Sequence, residues 1–397
     1  MDKMVIGEFC ESFPPLMDGV GNVMKNYTEE MIKRGHEART ITTGNREAAE
    51  YDRAHAISYT IRCRMFPLPG LKPYGLVIED IPFKKKLNAI DFDLVHAHSP
   101  FVLGNLAKQI AEKKHIPMVA TFHTQFREDI LGIVKSENIA DGITNLVLKH
   151  YQAADQVWTP SDWSRQKLYE YGFKGKVTVV ENACDMDTPT PTEHERYRNE
   201  GLALANVSFP MPMFLYVGQH KDEKNIRFTL NALLLLKQKG IPYRMVFVGE
   251  GANKQSYEEF VQEHDLAQQI LFLGKITDRE KLKALYAAAT LFLFPSKYDI
   301  SAVVMREAAA FNLPLIFLAG SCTAGPIIDG KNGFLTNDDE QEYARKIEWI
   351  IRHPQAIETA GAGAHHTLYR HWRDAADEVE QRYRELIDSF KKNYHEF

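Results

Sequence analysis

Lys224 closes the polar segment Gly218-Gln219-His220-Lys221-Asp222-Glu223, between the apolar run Met213–Val217 and a helical pattern that opens near Ile226. A cation beside a helix N-terminus, where backbone N–H groups point outward, suits a diphosphate. The segment Pro295–Ala310 carries a second set of groups. There an apolar run ends, a loop holds Asp299, and a small-residue helix holds Glu307 among Met305, Ala308, Ala309 and Ala310. A buried carboxylate without a partner is costly, so Glu307 needs either ligand hydroxyls or a salt bridge near Arg306. With Asp299 placed at the helix N-terminus, two carboxylates and the N–H groups of Ile300, Ser301, Ala302 and Val303 would face one polyol.

Other loops add weaker signals. Gly19 and Gly21 precede a helix, where small residues let backbone approach an anion. Met24 stands where a dinucleotide fingerprint needs its third glycine, so NAD is not indicated. Gly249 and Gly251 end another apolar run. His96 and His98 share one strand face, and His123 ends a further run. A three-histidine metal site lacks an adjacent carboxylate to orient its ligands, so packed histidines are the better reading of His96 and His98. His123, at a strand's carboxyl end, is the better substrate contact. Asp91-Phe92-Asp93 and Asp185-Met186-Asp187 match a metal-binding Asp-x-Asp pattern but read as solvated turns.

Elements of two kinds must position these groups. Runs of four to six apolar residues without alternation, such as Met4–Phe9, Leu94–His98, Met118–Phe122 and Leu291–Pro295, indicate strands covered on both faces. Amphipathic stretches between them, 22–34 and 226–239, stop at Gly35 and Gly240, as helices do. Alternating strands and helices predict an α/β chain with doubly wound parallel sheets. Its 397 residues suffice for two or three domains. The proline-bearing stretch 191–212 reads as a linker between domains at 1–190 and 213–370, with a terminal helix over 371–397 reaching back to the first. A net charge of −5, spread evenly, argues against a nucleic-acid partner. Four scattered cysteines argue against zinc and disulfides and fit a reducing cytoplasm. The uncharged stretch 308–328 is broken by Pro314, Gly320 and Pro326, which makes it a core segment rather than a membrane span.

Taken in order, these pieces resemble the retaining nucleotide-sugar glycosyltransferases of family 4, with GT-B architecture. The resemblance spans nearly the whole chain. It rests on the Pro14-Pro15…Gly19-Val20 loop, Arg34-Gly35-His36-Glu37, His96-Ala97-His98, Thr121-Phe122-His123-Thr124 and Asn182-Ala183-Cys184-Asp185, then Lys224-Asn225, Val248-Gly249-Glu250-Gly251 and the Asp299-x7-Glu307 element.

The resemblance implies an acceptor-side first domain and a donor-binding second one, facing across a cleft. By it, Lys224 holds the donor diphosphate, Glu307 the ribose, and Asp299 with Ile300–Val303 the sugar and phosphates. Lys275 and Ile276 touch the nucleobase, and His123 lies beside the reacting sugar. The Gly19–Gly21 loop covers the diphosphate, and Gly249 borders the donor. No metal or other cofactor is expected. Three departures bear on activity: Gln219 replaces an arginine, with His220 or Lys221 as substitutes for its charge; Asp299-Ile300-Ser301-Ala302 replaces Glu-Gly-Phe-Gly; and Asp18 replaces a glycine. The run His98–Gly104 is similar to that of enzymes glucosylating diacylglycerol, which marks His98 and Phe101 as acceptor-side residues and a lipid or cell-envelope glycan as acceptor. The stretch 62–86 interleaves Arg and Lys with Phe66, Leu68, Leu71, Tyr74 and Phe83, as a reversible contact with an anionic inner membrane face would require. The competing readings are a GT-B protein that binds a nucleotide-sugar without transfer, and a GT-B epimerase or hydrolase.

Overall fold

The computed structural model describes residues 2–395 except Met17, 68–74 and Phe209. The chain divides into two compact units, 1–182 with 372–397, and 183–371. Both are α/β, each a doubly wound sheet flanked by helices, which together make the GT-B architecture.

The first unit runs β1 (Val5–Phe9), α1 (Gly19–Lys33), β2 (Glu37–Gly44), α2 (Arg46–Ala54), β3 (Thr60–Pro67), β4 (Gly75–Ile78) and α3 (Ile81–Asn88). It continues with β5 (Leu94–Ala97), α4 (Val102–Lys114), β6 (Met118–Thr121), α5 (Phe126–Val134), α6 (Glu137–Gln152), β7 (Gln156–Thr159), α7 (Asp162–Glu170) and β8 (Val177–Val179). The sheet order is β4-β3-β2-β1-β5-β6-β7-β8, parallel except for the β3–β4 edge pair. Order reverses between β1 and β5, where a doubly wound sheet opens its ligand crevice. The expected strands are present because Ile6, Phe9, Leu94, Val95, Met118 and Val119 are buried under helices on both faces.

The second unit runs α8 (Pro191–Leu204), β9 (Met213–Val217), α9 (Ile226–Gln238), β10 (Arg244–Val248), α10 (Lys254–Glu263), β11 (Ile270–Gly274) and α11 (Arg279–Ala288). Then come β12 (Leu291–Phe294), α12 (Val303–Ala310), β13 (Leu315–Leu318), β14 (Phe334–Thr336), α13 (Glu340–Ile351) and α14 (Pro354–Leu368). Its all-parallel sheet has the order β11-β10-β9-β12-β13-β14, reversing between β9 and β12. The stretch read as a linker is instead mostly α8. Thr190 and Glu193 form a reciprocal capping box, and Pro191 sits at the first helical position, where its missing N–H costs nothing. Tyr197, Gly201 and Ala205 bury α8 within this unit.

The last helix, α15 (Trp372–His395), belongs to the first unit. Trp372, Ala376, Val379, Tyr383 and Ile387 recur at three- and four-residue spacing and are buried. Trp372 meets Tyr27 of α1 edge-on at 5.6 Å, and Tyr383 stacks on Trp158 at 5.5 Å. Arg34 after α1 reaches Asp377 at 2.6 Å. Among the described residues, no helix is long and apolar enough to cross a membrane.

Candidate active site

In the second unit the charged groups gather at the β9/β12 reversal. The Lys224 ammonium lies 2.5 Å from the Asp299 carboxylate, both side chains mostly buried. Asn225, in left-handed geometry, starts α9, and Ala302 starts α12; neither start has a side-chain cap. Two helix N-termini therefore keep first-turn N–H groups for an anion. Asp299 is not at a helix start, as expected from the sequence, but in the loop ahead of α12, where Ser296 Oγ accepts from its N–H at 3.4 Å.

Glu307 is almost fully buried on α12 and is held on both oxygens. Tyr286 Oη donates to Oε2 at 2.7 Å, and Arg279 Nη2 donates to Oε1 at 2.8 Å. Arg279 also pairs with Asp185, which is half-exposed in a bend, so the solvated turn expected at 185–187 also lends an oxygen to this network. Burial alone would lower the Arg279 pKa; Glu307 and Asp185 outweigh it and raise it. Arg306 Nη1 donates to Leu368 O at 2.9 Å.

The glycines act on the protein itself. Gly249 has φ +139°, and a Cβ there would lie 1.8 Å from Gly218 O. A Cβ at Gly251 would lie 2.3 Å from His220 O. They let the β9 and β10 end loops touch backbone to backbone. His220 is ringed by Tyr216, Phe247, Tyr257 and Phe272, and burial lowers its pKa to about 4. Neutral at pH 7, it does not replace the arginine missing at Gln219; Gln219 and Lys221 are exposed. Lys275 is exposed and Ile276 half-buried after β11, while Ile300 is buried and Ser301, Ala302 and Val303 are half-buried.

In the first unit, Gly19 and Gly21 open α1, but its N-terminus already holds an anion. Asp18 Oδ1 accepts from Gly21 N at 2.6 Å and from Ser12 Oγ at 2.9 Å. The N–H expected to serve a phosphate is thus taken by the residue that departs from the family pattern. His98 is buried rather than set at an acceptor surface: Nε2 meets Glu8 Oε2 at 2.7 Å and Nδ1 meets His123 Nε2 at 3.0 Å. Phe101 is half exposed at the start of α4. His96 bonds Tyr383 Oη and Thr121 Oγ1, each at 2.6 Å.

A carboxylate does stand beside the histidines, Glu8 of β1. Glu8, His96 and His98 bring ligand-type atoms within 4.8 Å of one another, which a metal could use. Here the ring nitrogens and both Glu8 oxygens are spent on hydrogen bonds to each other, Tyr383, Thr121 and His123. In the other Asp-x-Asp pattern Asp91 is fully exposed, in the solvated turn expected there, with Lys114 at 3.2 Å, while Asp93 accepts from Val5 N at 2.8 Å. Sequence reasoning missed Glu8, Arg279, Tyr286 and Tyr383. Only Glu8 left a signal, an acid inside the apolar run Val5–Phe9.

Two doubly wound units, one with a cation and uncapped helix starts at its crevice, define a GT-B glycosyltransferase. Residues 210–366 match the family described as Glycosyl transferases group 1, and residues 17–188 match Glycosyltransferase Family 4. The chain belongs to these glycosyltransferases. It is 24% identical to an alpha-monoglucosyldiacylglycerol synthase of Acholeplasma laidlawii, over 98% of this chain and 99% of that one. It is also 24% identical to a GDP-mannose-dependent alpha-mannosyltransferase of Corynebacterium glutamicum, over 97% and 89%. Among solved structures, Anabaena Alr3699/HepE in complex with UDP and glucose shares the fold with a TM-score of 0.74. Identity there is 16%, over 96% of this chain and 99% of that one.

Proposed function

We propose that the protein transfers a hexose from a nucleoside-diphosphate sugar, UDP-sugar favoured, to an acceptor hydroxyl with retention and without a metal. The observation that carries this is the Lys224–Asp299 pair between two uncapped helix starts at the β9/β12 crevice. A donor diphosphate entering there exchanges Asp299 for its own charge on Lys224 and takes the first-turn N–H groups of α9 and α12. Asp299, so released, accepts from sugar hydroxyls. Glu307, oriented by Arg279 and Tyr286, keeps lone pairs for the ribose hydroxyls. The bond from the anomeric carbon to phosphate oxygen breaks, and the acceptor oxygen bonds on the same face. Its proton passes to the leaving phosphate, whose charge Lys224 and the helix starts stabilise.

A lipid acceptor such as diacylglycerol, or another cell-envelope glycan, is supported by the name of the Acholeplasma relative. It is also supported by the surface around β3, β4 and α3. Phe66, Leu76, Ile78 and Ile81 are exposed there beside Arg64 and Lys84–Lys86, suited to reversible contact with an anionic cytoplasmic membrane face. Leu68, Leu71, Lys72 and Tyr74 of that stretch lie outside the described residues. A thermal-shift panel of UDP-, GDP- and ADP-sugars, followed by NMR of the product anomer, tests the reading. No stabilisation by any donor, or an inverted product, would overturn it. Gln219 favours a second reading, nucleotide-sugar binding without transfer, which predicts UDP binding and no turnover.

A further inference from the structure

The hydrogen bonds behind His123 form one chain, and proton counting along it leaves few choices. Tyr383 Oη donates to Glu8 Oε1 at 2.9 Å, so it accepts from His96 Nδ1–H. His96, neutral, then accepts on Nε2 from Thr121. While Tyr383 donates to Glu8 Oε1, His96 keeps this one tautomer, whereas those of His98 and His123 follow the proton on Glu8 Oε2. If Glu8 is protonated on Oε2, it donates to His98 Nε2; His98 Nδ1–H donates to His123 Nε2, and the His123 proton sits on Nδ1. If Glu8 is ionised, the two inner bonds reverse: His98 Nε2–H points at Glu8, His123 Nε2–H points at His98, and Nδ1 of His123 keeps a lone pair. The two patterns differ by one proton, released from His123 Nδ1 while one proton shifts along each of the two inner bonds.

We propose that Glu8 is a positioning residue for His123, deciding through His98 whether Nδ1 of His123 offers the substrate a hydrogen-bond donor or an acceptor. This rests on the transferase reading, in which His123 lies beside the sugar. A donor suits a sugar oxygen gaining negative charge; an acceptor suits a hydroxyl. Burial supplies the bias. It raises Glu8 to about 8, with the Tyr383 bond opposing, and lowers His98 to about 3 and His96 and His123 well below 6.5. The titratable groups facing Glu8 are His96 and His98 of the β5 strand end and Tyr383 of α15. Tyr27 of α1 packs on both histidines, and His123 follows β6. The donor pattern therefore holds near neutrality and gives way above about pH 8.

The test is 15N NMR of the full-length protein labelled at histidine, with His123 assigned by His123→Gln. The expected result is an Nδ1-protonated His123 at pH 7 that switches tautomer above pH 8, and a single pH-invariant tautomer in Glu8→Gln. Tyr383→Phe, which removes the donor to Glu8, should move the switch to higher pH. A His123 tautomer constant in the wild type, or a switch surviving in Glu8→Gln, overturns the proposal. So does bound UDP-glucose that leaves the His123 signals unmoved. Absence of binding by any nucleotide sugar overturns the transferase reading instead, because the switch is read without ligand.

Discussion

The two units solve one problem, carrying ionisable side chains in a sheet crevice, in opposite ways. At the β9/β12 reversal, charge meets charge: Lys224 with Asp299, and Arg279 with Glu307 and Asp185. Around β1 and β5 no cation faces the acid among the described partners. Glu8 is pushed towards its neutral form, and three histidines are held neutral beside it. A crevice proposed to receive a dianion gains from keeping its charges, since opposite charges cost little to expose again. A buried hydrogen-bond chain gains from neutrality, because an unpaired ion there would be costly.

The sharpest break of this contrast is Glu307→Ala. It leaves Arg279 without its inner partner and Tyr286 without an acceptor, and it removes the proposed ribose contact. A loss of stability of about 2–4 kcal/mol is expected, below the full buried-pair value because Arg279 reaches solvent. Loss of UDP binding should accompany it; denaturant titration and calorimetry read the two separately. Unchanged UDP affinity in folded Glu307→Ala would remove this residue from the donor site. Lys224→Met comes next. The pair is mostly buried but still reaches solvent, so stability should fall by about 1–3 kcal/mol, less than for a fully buried pair. Turnover should fall about 10²–10³-fold, because Asp299 then faces the leaving diphosphate unopposed. A melting temperature that drops sharply with turnover intact would recast the pair as structural.

In the first unit the contrast predicts a pH dependence of stability with the opposite origin. Glu8 has its folded pKa raised from 4.5 to about 8, so its stabilising share is complete below pH 4.5 and is lost as pH rises towards 8. His96, His98 and His123 have folded values below 6.5, so their share is complete above 6.5 and is lost on acidification. Stability from this cluster should peak near pH 6.5. Glu8→Gln should flatten the alkaline slope between pH 6.5 and 8 while leaving the acid slope in place. Denaturant midpoints across pH 5–9 check this, and an unchanged alkaline slope would assign the loss to other groups.

How far the sequence carried these conclusions depended on where partners lie along the chain. Strands covered on both faces read as unbroken apolar runs, so the two sheet centres were legible. β3 and β4 were not, because Arg62 and Arg64 interrupt the apolar pattern at the sheet edge. α8 does not read as a helix because prolines break helices, although Pro191 stands at the first helical position, where it is tolerated, behind the Thr190 cap. Glu307 announced itself as an acid among alanines, and Glu8 sent the same signal from β1. Their partners could not be read: Arg279 stands 28 residues from Glu307, and Tyr383 stands 375 from Glu8. Which acid meets which base is decided by topology that spacing does not encode.

The smallest expected effect sharpens the donor-side half of the comparison. At position 219 the family pattern has arginine, and Gln219 is exposed at the end of β9, its carbonyl receiving the Tyr216 hydroxyl at 3.2 Å. That contact uses backbone and tolerates a new side chain. His220, buried and neutral, supplies no charge in compensation. Gln219→Arg should therefore tighten UDP binding by about two- to fivefold at low salt, since an exposed charge contributes about 1 kcal/mol or less. The gain should shrink as ionic strength rises, and calorimetry at two salt concentrations reads both. A gain that survives high salt would mean the arginine reaches the buried floor of the crevice beside Lys224. No gain at all would mean that Lys224 and the two helix starts already saturate the diphosphate, which would explain how the chain tolerates glutamine there.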